Sequence, residues 1–204
     1  MKATGCYKRA HPTPPVEHHS YMTPGECMTL RDGSRVNIRL IRPDDTQALI
    51  GVFRRLSPES VYQRFFASLP ELPENLAWKL SHVNYTNRLA LVAERDKAET
   101  DGDPPQMVGV ARYDRTDESE PAEIGLAVID EWQGRGLGRV LLRELLQAAA
   151  QRGITRFTAD VLSDNRRMLH LLASEMQIAA MKSSGGVTTL ALRLARANES
   201  GGVF

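Results

Sequence analysis

The chain predicts an α/β (α+β) fold in which helices cover both faces of one mixed central sheet, and three observations carry that prediction. Strand-like alternation and helix-like apolar stripes follow one another in the order β-β-α-α-α-β-β-β-α-β-α-β-β, which fits neither a helical bundle nor a pure sandwich. An apolar strand at residues 122–129 runs through a glycine-rich turn into an amphipathic helix, the unit that lays a helix on a sheet. At 204 residues the chain is long enough for one domain with a substantial core.

Residues 1–28 hold Pro12, Pro14, Pro15 and Pro24 with almost no apolar periodicity, and read as a flexible N-terminal arm. His11, His18 and His19 lie there without a thiol or carboxylate pattern, so no metal is assigned. The folded domain is expected at 29–195, with a frayed end at 196–204. A hairpin at 29–42 turns on Asp32-Gly33, its Val36, Ile38 and Leu40 alternating with polar neighbours. Pro43, Asp44 and Asp45 then punctuate and cap a helix striped by Ala48, Leu49, Val52, Phe53 and Leu56. Ser57-Pro58-Glu59-Ser60 starts a second helix, and a third spans 73–82. Strands at 89–93 and 107–113 flank a loop rich in Asp, Gly and Pro. After the strand at 122–129 comes a helix to about Arg152, a strand at 154–162, a helix at 164–176, and a last hairpin of 178–181 with 187–194 around Gly185-Gly186.

Composition narrows the partners. Lys+Arg of 26 against Asp+Glu of 25 leaves a net charge of +1, so no global field draws the chain to nucleic acid or an anionic membrane. Cys6 and Cys27 both precede the first convincing strand and make neither a disulfide framework nor a zinc spacing. A cytoplasmic setting is the simplest expectation. No apolar run approaches the roughly 20 residues of a membrane span, and the N-terminus has no apolar signal core.

The glycine-rich turn reads as a pyrophosphate cradle. Gly134, Gly136 and Gly138 let backbone N–H groups approach an anion, and the helix from about Leu137 adds unpaired N–H groups and a positive dipole end. Spacing excludes two alternatives. A dinucleotide fingerprint begun at Gly134 and Gly136 would need a third glycine where Arg139 stands. A P-loop needs Gly-Lys and then Ser or Thr, and Gly138 is followed by Arg139 and Val140.

The segment Gln133-Gly134-Arg135-Gly136-Leu137-Gly138 resembles instead the coenzyme A signature of the GNAT acyltransferases, Gln/Arg-x-x-Gly-x-Gly/Ala after a strand. Further segments narrow the resemblance. Ile41-Arg42-Pro43-Asp44-Asp45, the run from Leu56 to Phe66, and Ser163-Asp164-Asn165-Arg166-Arg167-Met168 are similar to the GNAT domain of bacterial Pat-type protein lysine acetyltransferases. The likeness covers about residues 30–194. Such proteins often add a cyclic-nucleotide module or an acyl-CoA-synthetase-like region, and neither is expected within these 204 residues.

This resemblance implies a GNAT fold with splayed strands at an acyl-CoA site. It implies acetyl-CoA as co-substrate, held at Gln133, Gly134, Arg135, Gly136, Leu137, Gly138 and Arg139 and by Asn165 and Met168. The N–H groups of Leu126, Ala127 and Val128 would hold the pantetheine arm and polarise the thioester carbonyl. Asn165 is also readable as a plain helix cap and Met168 as core packing.

Acyl transfer to an amine needs a neutral nitrogen, and a free lysine with pKa near 10.4 is neutral in only about one molecule in 2,500 at pH 7. Glu123 is the candidate base. Strand alternation sets it on one face with Gly125, Ala127 and Ile129, small neighbours that leave room for an acceptor, and burial among apolar residues would raise its pKa toward usefulness. The bare residues read equally as a solvent-facing strand Glu, and the resemblance tips the reading to catalysis. Both cysteines lie in the arm, so direct attack by the amine is expected rather than a covalent intermediate.

Two departures stand out. Many GNAT enzymes place a tyrosine general acid where this chain has Leu172, and the usual Gly-Phe after that helix is Met176-Gln177. His170 is a substitute acid on paper and reads better as a helix-surface residue. The acceptor is expected to be a protein lysine or a small-molecule amine, a homodimer is left open, and a catalytically silent acyl-CoA sensor is the alternative class.

Overall fold

Val36 and Ile38 are buried as their alternation requires, and they stand in the second of eight strands among the described residues: β1 (Cys27–Thr29), β2 (Arg35–Leu40), β3 (Arg88–Arg95), β4 (Met107–Asp114), β5 (Ala122–Val128), β6 (Arg156–Leu162), β7 (Met176–Ser184) and β8 (Val187–Leu194). Among the described residues five α-helices accompany them: α1 (Thr46–Arg54), α2 (Pro58–Phe65), α3 (Glu74–Ser81), α4 (Leu137–Ala150) and α5 (Arg166–Glu175). The computed structural model describes residues 27–96 and 106–194. The expected arm, except for Cys27 and Met28, residues 97–105 between β3 and β4, and the frayed end from 196 lie outside the described residues, as do His11, His18 and His19.

Strand order is β1-β2-β3-β4-β5-β6-β8-β7, antiparallel throughout except for the β5–β6 pair, which is parallel. This is the mixed sheet the sequence predicts. Residues 89–93 of β3 are buried without alternation because helices cover both faces there. Gly109 of β4 shows one face: a β carbon added to it would stand 3.0 Å from Leu141 Cδ1 of α4. Leu49, Val52 and Phe53 of α1 and Leu80 of α3 share an apolar space with Val110, Gly125 and Ala127 on the opposite face.

Several expectations need correction. β1 starts at Cys27, two residues inside the expected arm, because Cys27, Met28 and Thr29 pair with Asn37, Val36 and Arg35. Cys27 therefore belongs to the sheet. Its Sγ lies 3.3 Å from Asp96, and burial, followed by that carboxylate, pushes its thiol up. It stands four strands from β5, so it is no rival nucleophile at the cradle.

Asp45 does not cap α1 through its side chain. A single 3-10 turn at Pro43–Asp45 intervenes, and the Asp45 carboxylate accepts both guanidinium N–H groups of Arg39 at 2.7 and 2.8 Å and the Arg42 amide at 2.7 Å. Burial pushes that carboxyl up, and these bonds outweigh it and hold it below the usual range. Ser57 does cap α2, accepting from the Ser60 amide at 3.2 Å.

At the far end α5 stops at Glu175, and Met176 turns extended and buried to open β7. β7 runs nine residues where four were expected. Its other residues are exposed, so burial left no apolar alternation to read.

Candidate active site

Two helices and one strand edge converge on a cleft of about 650 Å³. Its walls come from the start of α2, the second half of β5, the turn before α4 and the start of α5. The sheet itself makes it. β5 keeps its full register with β4, from Asp114 opposite Glu123 to Gly109 opposite Val128. Toward β6 it pairs only at Ala122 and Glu123. The strands part there, and the edge of β5 across Leu126, Ala127 and Val128 faces the cleft. Backbone N–H and C=O groups on such an edge seek partners, and an extended amide-bearing chain supplies them.

At one end of the cleft lies the glycine cradle. Gly134 and Gly136 have φ of +77° and +93°, a region costly for residues with a β carbon, and Gly136 is the N-cap of α4. Among the described residues the amides of Gly134, Arg135, Gly136, Leu137 and Gly138 donate to no protein acceptor. Five free N–H groups at the positive end of a fourteen-residue helix suit a pyrophosphate. The amide of Arg139 bonds the Gly136 carbonyl at 3.1 Å and stands outside that set.

The side chains of several expected ligand residues also hold the cradle together. Arg135 turns outward, its guanidinium 5.0 Å above the Trp132 ring, 3.0 Å from the Glu131 carbonyl and 3.2 Å from Asp32. Arg139 pairs with Glu175 at 3.1 Å and donates to Ser174, tying α4 to the end of α5. Both brace the cradle because neighbouring carboxylates and carbonyls already satisfy their donors. Gln133 donates to the Val128 carbonyl, Asp130 and Ser60 at 3.1, 2.9 and 3.1 Å, closing the turn on the strand that feeds it. Asn165 caps α5 by accepting the Met168 amide at 3.1 Å, and both residues line the cleft.

Asp130 escaped the sequence reading. It accepts the Ser57 amide at 2.7 Å and the Ser60 hydroxyl at 2.6 Å, so the Ser-Pro-Glu-Ser segment is a helix start and also the clasp that fastens α2 to the cradle. Burial raises its carboxyl, and the bonds from Ser60 and Ser57 outweigh that and hold it below the usual range. The signal was present as two serines three apart facing an aspartate, yet their separation of seventy residues hid it.

Glu123 lies where β5 and β6 part, beside a smaller pocket of about 40 Å³ that Gln63, Arg64, Phe66, Gly125, Asn165 and Leu172 help to line. Glu123 is exposed, where its apolar neighbours predicted burial. It faces α2: a β carbon on Gly125, two residues along the strand, would collide with Arg64. Leu172, in the place of the family's tyrosine, is buried, and no tyrosine is among the described residues lining either space. His170 is exposed and lines neither. Among the described residues no three of His, Cys, Asp and Glu are grouped to hold a metal, and no helix is long and apolar enough to cross a membrane.

Comparison with known proteins agrees with this geometry. The acetyltransferase PA5475 of Pseudomonas aeruginosa is 31% identical over 143 residues, which is 70% of this chain and 75% of that protein. The acetyltransferase Pat of Mycolicibacterium smegmatis is 29% identical over 144 residues, 70% of this chain but only 41% of its own length. The crystal structure of the GNAT domain of S. lividans PAT superposes with a TM-score of 0.71 at 29% identity, covering 83% of this chain and 96% of that domain. The sequence profile of the acetyltransferase (GNAT) family matches residues 53–176, from α1 through the cradle to the end of α5. With the parted strands and the glycine cradle inside that span, the chain belongs to the GNAT acetyltransferase family and is an N-acetyltransferase.

Proposed function

We propose that this enzyme transfers the acetyl group of acetyl-CoA to the ε-amine of a protein lysine by direct attack, with Glu123 as general base. One observation carries the reading: β5 loses its β6 partner at Glu123, so an open backbone edge and a carboxylate begin at the same point. In this reading the cradle amides hold the pyrophosphate and the Leu126 to Val128 edge pairs with the pantetheine amides. Asn165 and Met168 wall the arm from the other side.

Glu123 receives the amine proton directly or through one water. Its exposure suits that role, because the proton can pass on to solvent. The amine nitrogen then bonds to the thioester carbon, negative charge gathers on the carbonyl oxygen beside the β5 amides, and the carbon–sulfur bond breaks. A thiol is acidic enough, with pKa near 8.5, to leave without a tyrosine acid, which fits leucine at position 172.

The protein-lysine acceptor rests on the likeness to Pat in the Leu56 to Phe66 and Ser163 to Met168 segments. Mass spectrometry of lysine acetylation in cells with and without the protein tests it. Sites that vanish with the protein, and that the purified enzyme acetylates from acetyl-CoA, support a protein acceptor. An unchanged acetylome, with thiol release only on small amines, moves the acceptor to that class.

A further inference from the structure

Arg64 is a cation with no directly bonded counterion among the described residues. It projects from α2 onto the β5 face that carries Glu123, and it helps to line the main cleft, the Glu123 pocket and the apolar space under α1. A β carbon on Gly125 would overlap its Nη2 and lie 2.9 Å from Cζ, so glycine is what lets the guanidinium rest on the strand. Among the described residues Arg64 makes no hydrogen bond or ion pair, and its close partner is the Phe65 ring at 5.3 Å.

Its neighbour shows the contrast. Arg112, beside it on β4, is paired with Asp114 at 2.6 Å and donates to the Leu80 carbonyl at 3.1 Å. Arg64 instead sits partly buried near that second cation. Burial, and then Arg112, push its guanidinium down, opposed by the charges of Glu123 and Asp114. An arginine stays charged in a protein, and a partly buried charge without a direct counterion is costly. An acceptor amine arriving at Glu123 is a cation too, and it would meet Arg64 as a like charge. An anion at this point relieves both repulsions.

We propose that Arg64 binds a carboxylate at the reacting end of the cleft, carried by the acyl chain of a dicarboxylic CoA thioester or by the acceptor beside its amine. The guanidinium fork suits a carboxylate, which it can grip with two parallel N–H···O bonds. This inference rests on the reading of the cleft as a CoA thioester site.

Binding calorimetry on the full chain tests it without requiring turnover. The first arm compares succinyl-CoA with acetyl-CoA. The second compares lysine tripeptides flanked by glutamate or by glutamine on protein saturated with coenzyme A. Each is read as an affinity ratio, so a general loss of CoA binding in a variant cancels. In the parent protein one ratio should favour the carboxylate by about tenfold or more, the effect of one charge-assisted contact, and the arm that shows it identifies the carrier. In Arg64→Gln that ratio should fall to within about twofold of unity, and Arg64→Lys, with the charge but not the fork, should lie between.

Gly125→Ala, which displaces the guanidinium while keeping it, should also lower the ratio. With Arg64→Lys it carries the test if Arg64→Gln does not fold. Ratios near unity in both arms of the parent, or a ratio unchanged in the Arg64 variants, overturn the proposal. Failure of the parent to bind any CoA thioester overturns the underlying reading of the cleft, a result distinct from equal binding of two thioesters.

Discussion

Single residues separate what the cradle needs for folding from what it needs for its ligand. Gly136 sits at φ +93°, so Gly136→Ala strains the backbone by about 1–2 kcal/mol and should weaken acetyl-CoA binding as well as lower Tm. Gly138 has ordinary backbone, and an added β carbon would meet Leu126 and Leu171 at 3.4 and 3.7 Å, normal contact distances. Gly138→Ala should therefore leave Tm within about 2 °C while weakening acetyl-CoA binding several-fold, since the methyl group enters the cleft between Leu126 and Leu171. Calorimetry alongside thermal melts checks both, and equal losses of Tm would contradict the distinction. At this scale the backbone sites were legible, because glycine spacing speaks directly about φ and close approach. The side chains were less so: the ion pairs of Arg135 with Asp32 and of Arg139 with Glu175 join residues far apart in the sequence. Burial of Glu123 was expected from its apolar neighbours, but it stands exposed at the point where β5 loses its β6 partner.

Among elements, the clasp between α2 and the cradle holds the cleft together. Asp130→Ala removes the acceptor of the Ser57 amide and Ser60 hydroxyl, and should cost about 2–3 kcal/mol of stability and raise the KM for acetyl-CoA. Asp130→Asn keeps the shape and one acceptor, and should lose less on both counts. Urea unfolding and steady-state kinetics measure this, and a stability loss with unchanged KM would mean that α2 does not position the cradle. The elements themselves were largely readable: α1 to α5 and β2 to β6 stand within a few residues of their expected places because apolar period and helix-start chemistry agree there. β7 was read short because an exposed edge strand carries little burial signal. The parting of β5 from β6 is invisible in either strand alone, since it depends on where pairing stops.

Across the whole molecule, a buried tyrosine makes stability depend on high pH while the cleft sets the chemistry. Tyr113 is fully buried, its hydroxyl 2.9 Å from the Thr86 carbonyl, and burial pushes its pKa up to about 12. The unfolded tyrosine ionises near 10, so this stabilising contribution is complete below pH 10 and is lost as pH rises from 10 to 12. Tyr113→Phe should be less stable than the parent at pH 8 by about 1 kcal/mol, with the gap closing toward pH 11 to 12. A constant gap in denaturant melts across that range would contradict the assignment. The most direct test of the central claim compares Glu123→Gln with the parent in acetyl-CoA binding and in thiol release with a lysine-containing protein acceptor. The expected result is acetyl-CoA affinity within about twofold and turnover reduced by a factor of about 100 or more, the range of a lost general base. Equal turnover in the two proteins would contradict Glu123 as the base, and with it the catalytic significance of the point where β5 and β6 part.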